Sequence, residues 1–223
     1  MQALMETLFD IVYLTTVITL GVIMITKSKG NKQYRLFGIM AVVLGLGDSF
    51  HLVSRMIALC TTGLDQYTAA LGIGKFITSI TMTFFYLLLY YVWGGNRYNM
   101  KGKAGFTRCF YLLAAMRIIL CLFSPNAWTS VEAPLSWGIY RNIPFALITV
   151  LIIVLFYQYA KEREDKSFRF MWLTIVLSFG FILPVGLWAD VNPLIGMLMI
   201  VKTCAYVWTV LIGYFDMKKG YLS

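Results

Sequence analysis

Seven apolar stretches constrain this chain more than any other feature. Each runs for about twenty residues or more, and a run of that length crosses about 30 Å of hydrocarbon as a helix with its backbone polar groups paired internally. They fall at 6–26, 34–60, 69–93, 105–123, 138–160, 168–189 and 193–215. The connections are short and polar, and none is long enough for a soluble domain. The expected fold class is all-α: a polytopic membrane protein, a single domain over residues 1–223, built as a bundle of seven transmembrane helices. Composition agrees, since 13% of the residues are charged and 60% apolar, whereas a soluble domain carries charge on roughly a quarter. Glu6 and Asp10 precede the first apolar run and Lys27, Lys29 and Lys32 follow it. That is the reverse of a signal peptide, so a retained first span is expected.

The basic residues set an expected orientation, because cytoplasmic loops near span ends collect Lys and Arg. Lys27, Lys29, Lys32 and Arg35 follow the first span, and Arg97, Lys101, Lys103 and Arg108 the third. Lys161, Arg163, Lys166 and Arg169 follow the fifth, and Lys218 and Lys219 the last. Fourteen of nineteen basic residues thus share one side, which predicts the N-terminus outside and the C-terminus in the cytoplasm. The net charge of +9 has this topological origin, and no nucleic-acid partner is expected. The run from Lys161 to Lys166 reads as a solvated connection with helical i,i+4 pairs.

Removing that rim leaves Arg55, Lys75, Arg117, Arg141 and Lys202 as bases, and Glu6, Asp10, Asp48, Asp65, Glu132 and Asp190 as acids. All fall in the outer halves of the spans or near their outer ends. Charges within a membrane are costly and face the bundle interior or a wet cavity. An outward-opening polar cavity above a more apolar inner half is therefore expected.

Gly45-Leu46-Gly47-Asp48-Ser49-Phe50-His51-Leu52-Val53-Ser54-Arg55 holds the densest part of this pattern. At about 100° per residue, Asp48 and Arg55 point the same way and His51 about 60° from them, a polar stripe over two turns. Asp48 lies about 20 Å of helical rise past Arg35, and Lys202 about 14 Å below the outer end of the seventh span, so the two can pair if those helices touch. Lys75, Thr78, Ser79, Met82 and Tyr86 form a matching stripe in the third span, Glu6, Asp10 and Tyr13 in the first, and Lys202, Tyr206 and Thr209 in the seventh. Gly38, Ala41, Gly45 and Gly47 would admit a close neighbour to the second span. Asn142 with Pro144, and Pro184 between Gly180 and Gly186, mark expected kinks. Trp128, Trp137 and Trp188 near the outer boundary, and Trp93 and Trp172 near the inner one, fit an aromatic belt.

Cys60, Cys109, Cys121 and Cys204 stand singly with one histidine in the chain, which excludes zinc sites of ordinary spacing. No metal or cofactor is implied, and a disulfide between Cys60 and Cys121 is left open. Asn96-Arg97-Tyr98 resembles the arginine triplet of G-protein-coupled receptors, but three residues assign no family.

The leading functional expectation is binding or transport of a small polar or amphipathic ligand in the outward-facing pocket, by Asp48, His51, Arg55, Lys75, Arg117, Arg141, Asp190 and Lys202. The alternatives are an intramembrane lipid-modifying enzyme using His51 and Asp48, with Ser79 or Ser136 as nucleophile, and a retinal-binding photoreceptor with Lys202 as Schiff-base lysine. Expected partners are membrane lipid and a small-molecule ligand, with a homo-oligomer or a cytoplasmic partner at the basic inner loops left open. The expected location is the cell membrane, with a bacterial cytoplasmic membrane the simplest home.

Overall fold

The computed structural model describes residues 2–61, 63–93, 104–131, 133–162, 164–188 and 198–220, with the side chains of residues 2 and 182–188 excepted. Helices account for nearly all of it, and no strand occurs among the described residues. They are α1 (Gln2–Thr26), α2 (Lys32–Cys60), α3 (Thr68–Tyr90), α4 (Ala104–Leu122), α5 (Leu135–Glu162), α6 (Met171–Trp188) and α7 (Leu198–Gly220). Among the described residues, six of the seven are long and apolar enough to cross a membrane, and α6 is represented by the shorter apolar stretch Met171–Phe181. Each helix packs against the next in sequence, and α7 closes on α1, so the helices form a ring.

Local chemistry sets the turns. Lys29 and Gly30 take positive φ between α1 and α2, and the Asn31 side chain accepts from the Gln33 amide at 2.9 Å to start α2. At the end of α5 the expected helical continuation through the charged run does not occur. The helix stops at Glu162, Glu164 adopts positive φ, and the Asp165 carboxylate accepts the amides of Ser167 and Phe168 at 3.1 and 3.2 Å. A short acidic side chain that captures backbone donors competes with the helix and turns the chain.

The bundle is apolar on its outer surface as well as within. Leu46, Phe50, Val53 and Ile57 recur at helical spacing along one exposed face of α2, and Leu147, Val150, Val154 and Tyr157 along α5. In water such stripes would be aggregation sites, whereas a helix in lipid exposes them by necessity. A membrane-embedded protein is the consistent description. Close approach within the bundle follows the small residues: a Cβ on Gly38 would stand 2.6 Å from the Gly21 carbonyl of α1. Gly45 likewise meets Ile18 of α1, and Gly47 meets Thr81 of α3.

The end of the bundle away from the N-terminus is packed with rings and aliphatic side chains. Phe37, Met40, Leu44, Leu89, Phe110, Ile152, Phe156, Phe168 and Val210 are all buried there. Trp93 lies parallel to Phe156 with ring centres 3.4 Å apart. Trp93 is thus a core residue rather than part of an interfacial belt, because a neighbouring helix presents a flat ring to cover it.

Candidate functional site

The helix ends that meet at the N-terminal side of the bundle enclose a cavity of about 950 Å³. Its size falls in the range of small-molecule sites, about 300 to 1,000 Å³. Every helix except α4 contributes to its lining, together with Trp128, Ala133 and Pro134 from the connection before α5. Of the eight residues expected at a ligand site, six line it: Asp48, His51, Arg55, Lys75, Arg141 and Lys202. Glu6 and Asp10 join them. Asp190, Glu132 and the Asn96-Arg97-Tyr98 triplet lie outside the described residues.

The first and second helices form an acidic wall. Arg55 donates to Glu6 Oε2 from Nη2 at 3.0 Å and from Nε at 3.3 Å. Asp48 is buried, and its Oδ2 accepts from the Tyr13 hydroxyl at 2.8 Å. A buried carboxyl held by a phenol avoids the penalty of an unmade hydrogen bond. The expected Asp48–Lys202 pair is not closed: both face the cavity, but the group in contact with Asp48 is Tyr13. Nor do Asp48, His51 and Arg55 act as one bonded stripe, since Arg55 turns to α1 and His51 Nδ1 is buried without a partner.

His51 is placed by its backbone. Gly74 of α3 stands so close that a Cβ there would be 2.7 Å from His51 Cα, which draws the imidazole against the backbone of Leu71. One turn beyond Leu71, Lys75 opens the basic wall. Thr78 donates to the Gly47 carbonyl at 3.1 Å and Ser79 to the Lys75 carbonyl at 2.8 Å.

Arg141 is fixed most firmly. Its Nη1 donates to Asn126 Oδ1 at 2.9 Å, and its Cζ lies 4.2 Å from the centre of a Trp128 ring. Asn126 is buried because its amide donates to the carbonyls of Leu120 and Phe123 at 2.7 and 2.8 Å, capping the end of α4. Trp128 donates from Nε1 to the Cys121 carbonyl at 3.0 Å and meets Phe76 edge-on at 5.6 Å. Asn126 is the supporting residue that sequence reasoning passed over. The Ser124-Pro125-Asn126 turn after the fourth apolar run was its available signal.

Arg117 departs from expectation. It is buried at 4% exposure and lies outside the cavity lining. Its Cζ sits 3.4 Å from the centre of the Phe145 ring, and Phe145 itself lines the cavity. The helix carrying Phe145 runs unbroken through Pro144.

Ser49 donates to the Leu46 carbonyl, Ser54 to Phe50 and Ser79 to Lys75, so each is bonded to its own helix rather than to His51. Ser136 is exposed and outside the lining. All four cysteines are free, with Cys60 exposed and Cys121 buried. Among the described residues no group of three His, Cys, Asp or Glu could hold a metal ion. Lys202 shares the cavity with Asp48 and Asp10, so a Schiff-base counterion would have to come from α1 or α2.

The site thus belongs to a class defined by form alone: a helical, membrane-embedded bundle with a charged cavity at one end. No protein-family model, no curated protein and no solved structure matches the chain.

Proposed function

We propose that this protein is a seven-span protein of the cell membrane, N-terminus outside, that binds or transports a small polar or amphipathic ligand through its outward-facing cavity. One observation carries the reading. Ionisable side chains from α1, α2, α3, α5 and α7 converge on a single space of ligand size, and most are not closed into ion pairs with one another. Burying separated charges is unfavourable unless something polar occupies the space with them. Apolar lining from Phe9, Leu52, Leu71, Ile139 and Phe179 between those charges suits an amphipathic body. The basic inner rim supports the orientation.

The test is a thermal-stability screen of the purified protein in nanodiscs against small zwitterions, organic anions, organic cations and short-chain amphiphiles. A ligand of the cavity raises the unfolding temperature of the wild type, and Asp48→Asn and Lys202→Gln lose that response while Glu162→Gln keeps it. A response to no class, or the same response in all variants, would overturn the reading. Added all-trans retinal is expected to give no visible band, and a band lost in Lys202→Gln would move the function to light reception.

A further inference from the structure

Beside the cavity lies a cation that the cavity lining does not include. Arg117 stands within α4, 4% exposed, with Nε and Nη1 making no hydrogen bond. Its guanidinium contacts the thiol side of Cys121, one turn further along α4. Tyr206 is also fully buried, and it and Tyr86 both act electrostatically on Arg117.

A packing role does not account for this. An apolar side chain of similar length would fill the same volume without the desolvation of a guanidinium, and such replacements of buried charge are often neutral or stabilising. The face of Phe145 attracts the cation, but it accepts none of the in-plane N–H groups. Charged N–H donors of this kind suit the oxygens of a carboxylate or phosphate, Nε and Nη1 each meeting a separate one.

Phe145 connects the two: it lines the cavity, and the Arg117 guanidinium lies 3.4 Å from the centre of its ring. Its contacts with other rings are edge-on, to Tyr86 at 5.0 Å and Phe179 at 5.9 Å. Pro144 precedes it and supplies no amide to the α5 hydrogen-bond ladder, so the backbone beside the ring bends more readily than elsewhere in the helix.

We infer that Arg117 is the anion-binding centre of an inner compartment of this cavity, that Phe145 is its lid, and that the ligand carries an oxyanion, carboxylate or phosphate, on an apolar body. The inference rests on the cavity being a ligand site. In use, the apolar part occupies the space between Phe9, Leu71 and Ile139, and the oxyanion displaces the Phe145 ring to meet the guanidinium.

The experiment uses the full chain in phosphatidylcholine nanodiscs, with octanoate, octyl phosphate, octanol and octyltrimethylammonium below their micellar concentrations. Wild type should be stabilised saturably by the two anions and not by the alcohol or the cation. Arg117→Met should unfold at a temperature no lower than wild type without ligand, yet bind octanoate at least about tenfold more weakly. Phe145→Ala leaves the cation in place and should bind octanoate about threefold or more tightly, because the closed fraction is removed. Stabilisation by phosphatidylglycerol nanodiscs, lost in Arg117→Met, with no response to octanoate would identify a lipid headgroup as the source of the oxyanion. Octanoate binding unchanged in Arg117→Met, or unchanged in Phe145→Ala where Arg117→Met does not fold, overturns the inference. If that binding is still lost in Lys202→Gln, the cavity reading survives. No stabilisation of wild type by any probe of either charge would sink the cavity reading itself.

Discussion

The helices α2, α3 and α5 change character along their length, and in the same sense. On α2, Asp48, His51 and Arg55 face the cavity, while Phe37, Met40 and Leu44 are buried in the other half. On α3 the change runs from Lys75, Thr78 and Ser79 to Phe85, Tyr86 and Leu89, and on α5 from Arg141 to Ile152 and Phe156. One half holds charges around a space, and the other presses rings together. The difference teaches what each half is for. Without a hydrophobic drive between helices in lipid, close van der Waals packing is what holds a bundle. The ring-packed half supplies it, which leaves the charged half free to keep polar groups separated.

The comparison is broken most directly in the packed half. Phe156→Ala should destabilise by about 3 to 5 kcal/mol, since the ring stacked on Trp93 leaves a cavity with little to collapse into it. Chemical unfolding in detergent checks this, and a loss below about 1 kcal/mol would mean the inner half is not close-packed. Tyr13→Phe comes next, removing the hydroxyl that Asp48 accepts. A cost of about 1 to 3 kcal/mol is expected, and Asp48→Asn in the same background should add less than it does alone, as a double-mutant cycle would measure.

The outer pair should matter less for stability than for charge. Arg55 and Glu6 retain 31% and 15% side-chain exposure, so Glu6→Gln should cost about 0 to 1 kcal/mol. It leaves Arg55 without its carboxylate, and any organic anion found to bind should therefore bind more tightly to that variant by calorimetry. The smallest effect is expected at Glu162→Gln, at the end of α5. Surface changes of this kind stay within about 0.5 kcal/mol, and a larger loss would show that the inner rim carries structure of its own.

Much of this arrangement was legible in the chain. Apolar run length located the helices to within a few residues, because membrane thickness sets that length whatever the contacts. The side on which interior charges cluster was legible for the same reason: burial in hydrocarbon makes every charge conspicuous. What could not be read was partnership. Helical spacing placed Asp48, His51 and Arg55 on one face, yet their contacts depend on which helices adjoin. Tyr13 took Asp48 and Glu6 took Arg55 because α1 packs along α2 through Gly21 and Gly38. Arg117 shows the limit most clearly. Its depth suited the cavity, but its guanidinium lies against Phe145 of the neighbouring helix and outside the lining. Trp93 was misread for a related reason, since an aromatic residue near a span end is interfacial unless another ring covers it.

The central claim is that water reaches the polar half from outside and stops at the aromatic layer. Cysteine accessibility along α3 tests it most directly, in a background with the four native cysteines replaced. Ser79→Cys and Leu89→Cys would each be exposed in intact cells to a membrane-impermeant thiol reagent. Rapid labelling of Ser79→Cys from outside, with Leu89→Cys unreactive from either side, is the predicted result. Labelling of Ser79→Cys only after the cells are opened, or of both positions at equal rates, would contradict it.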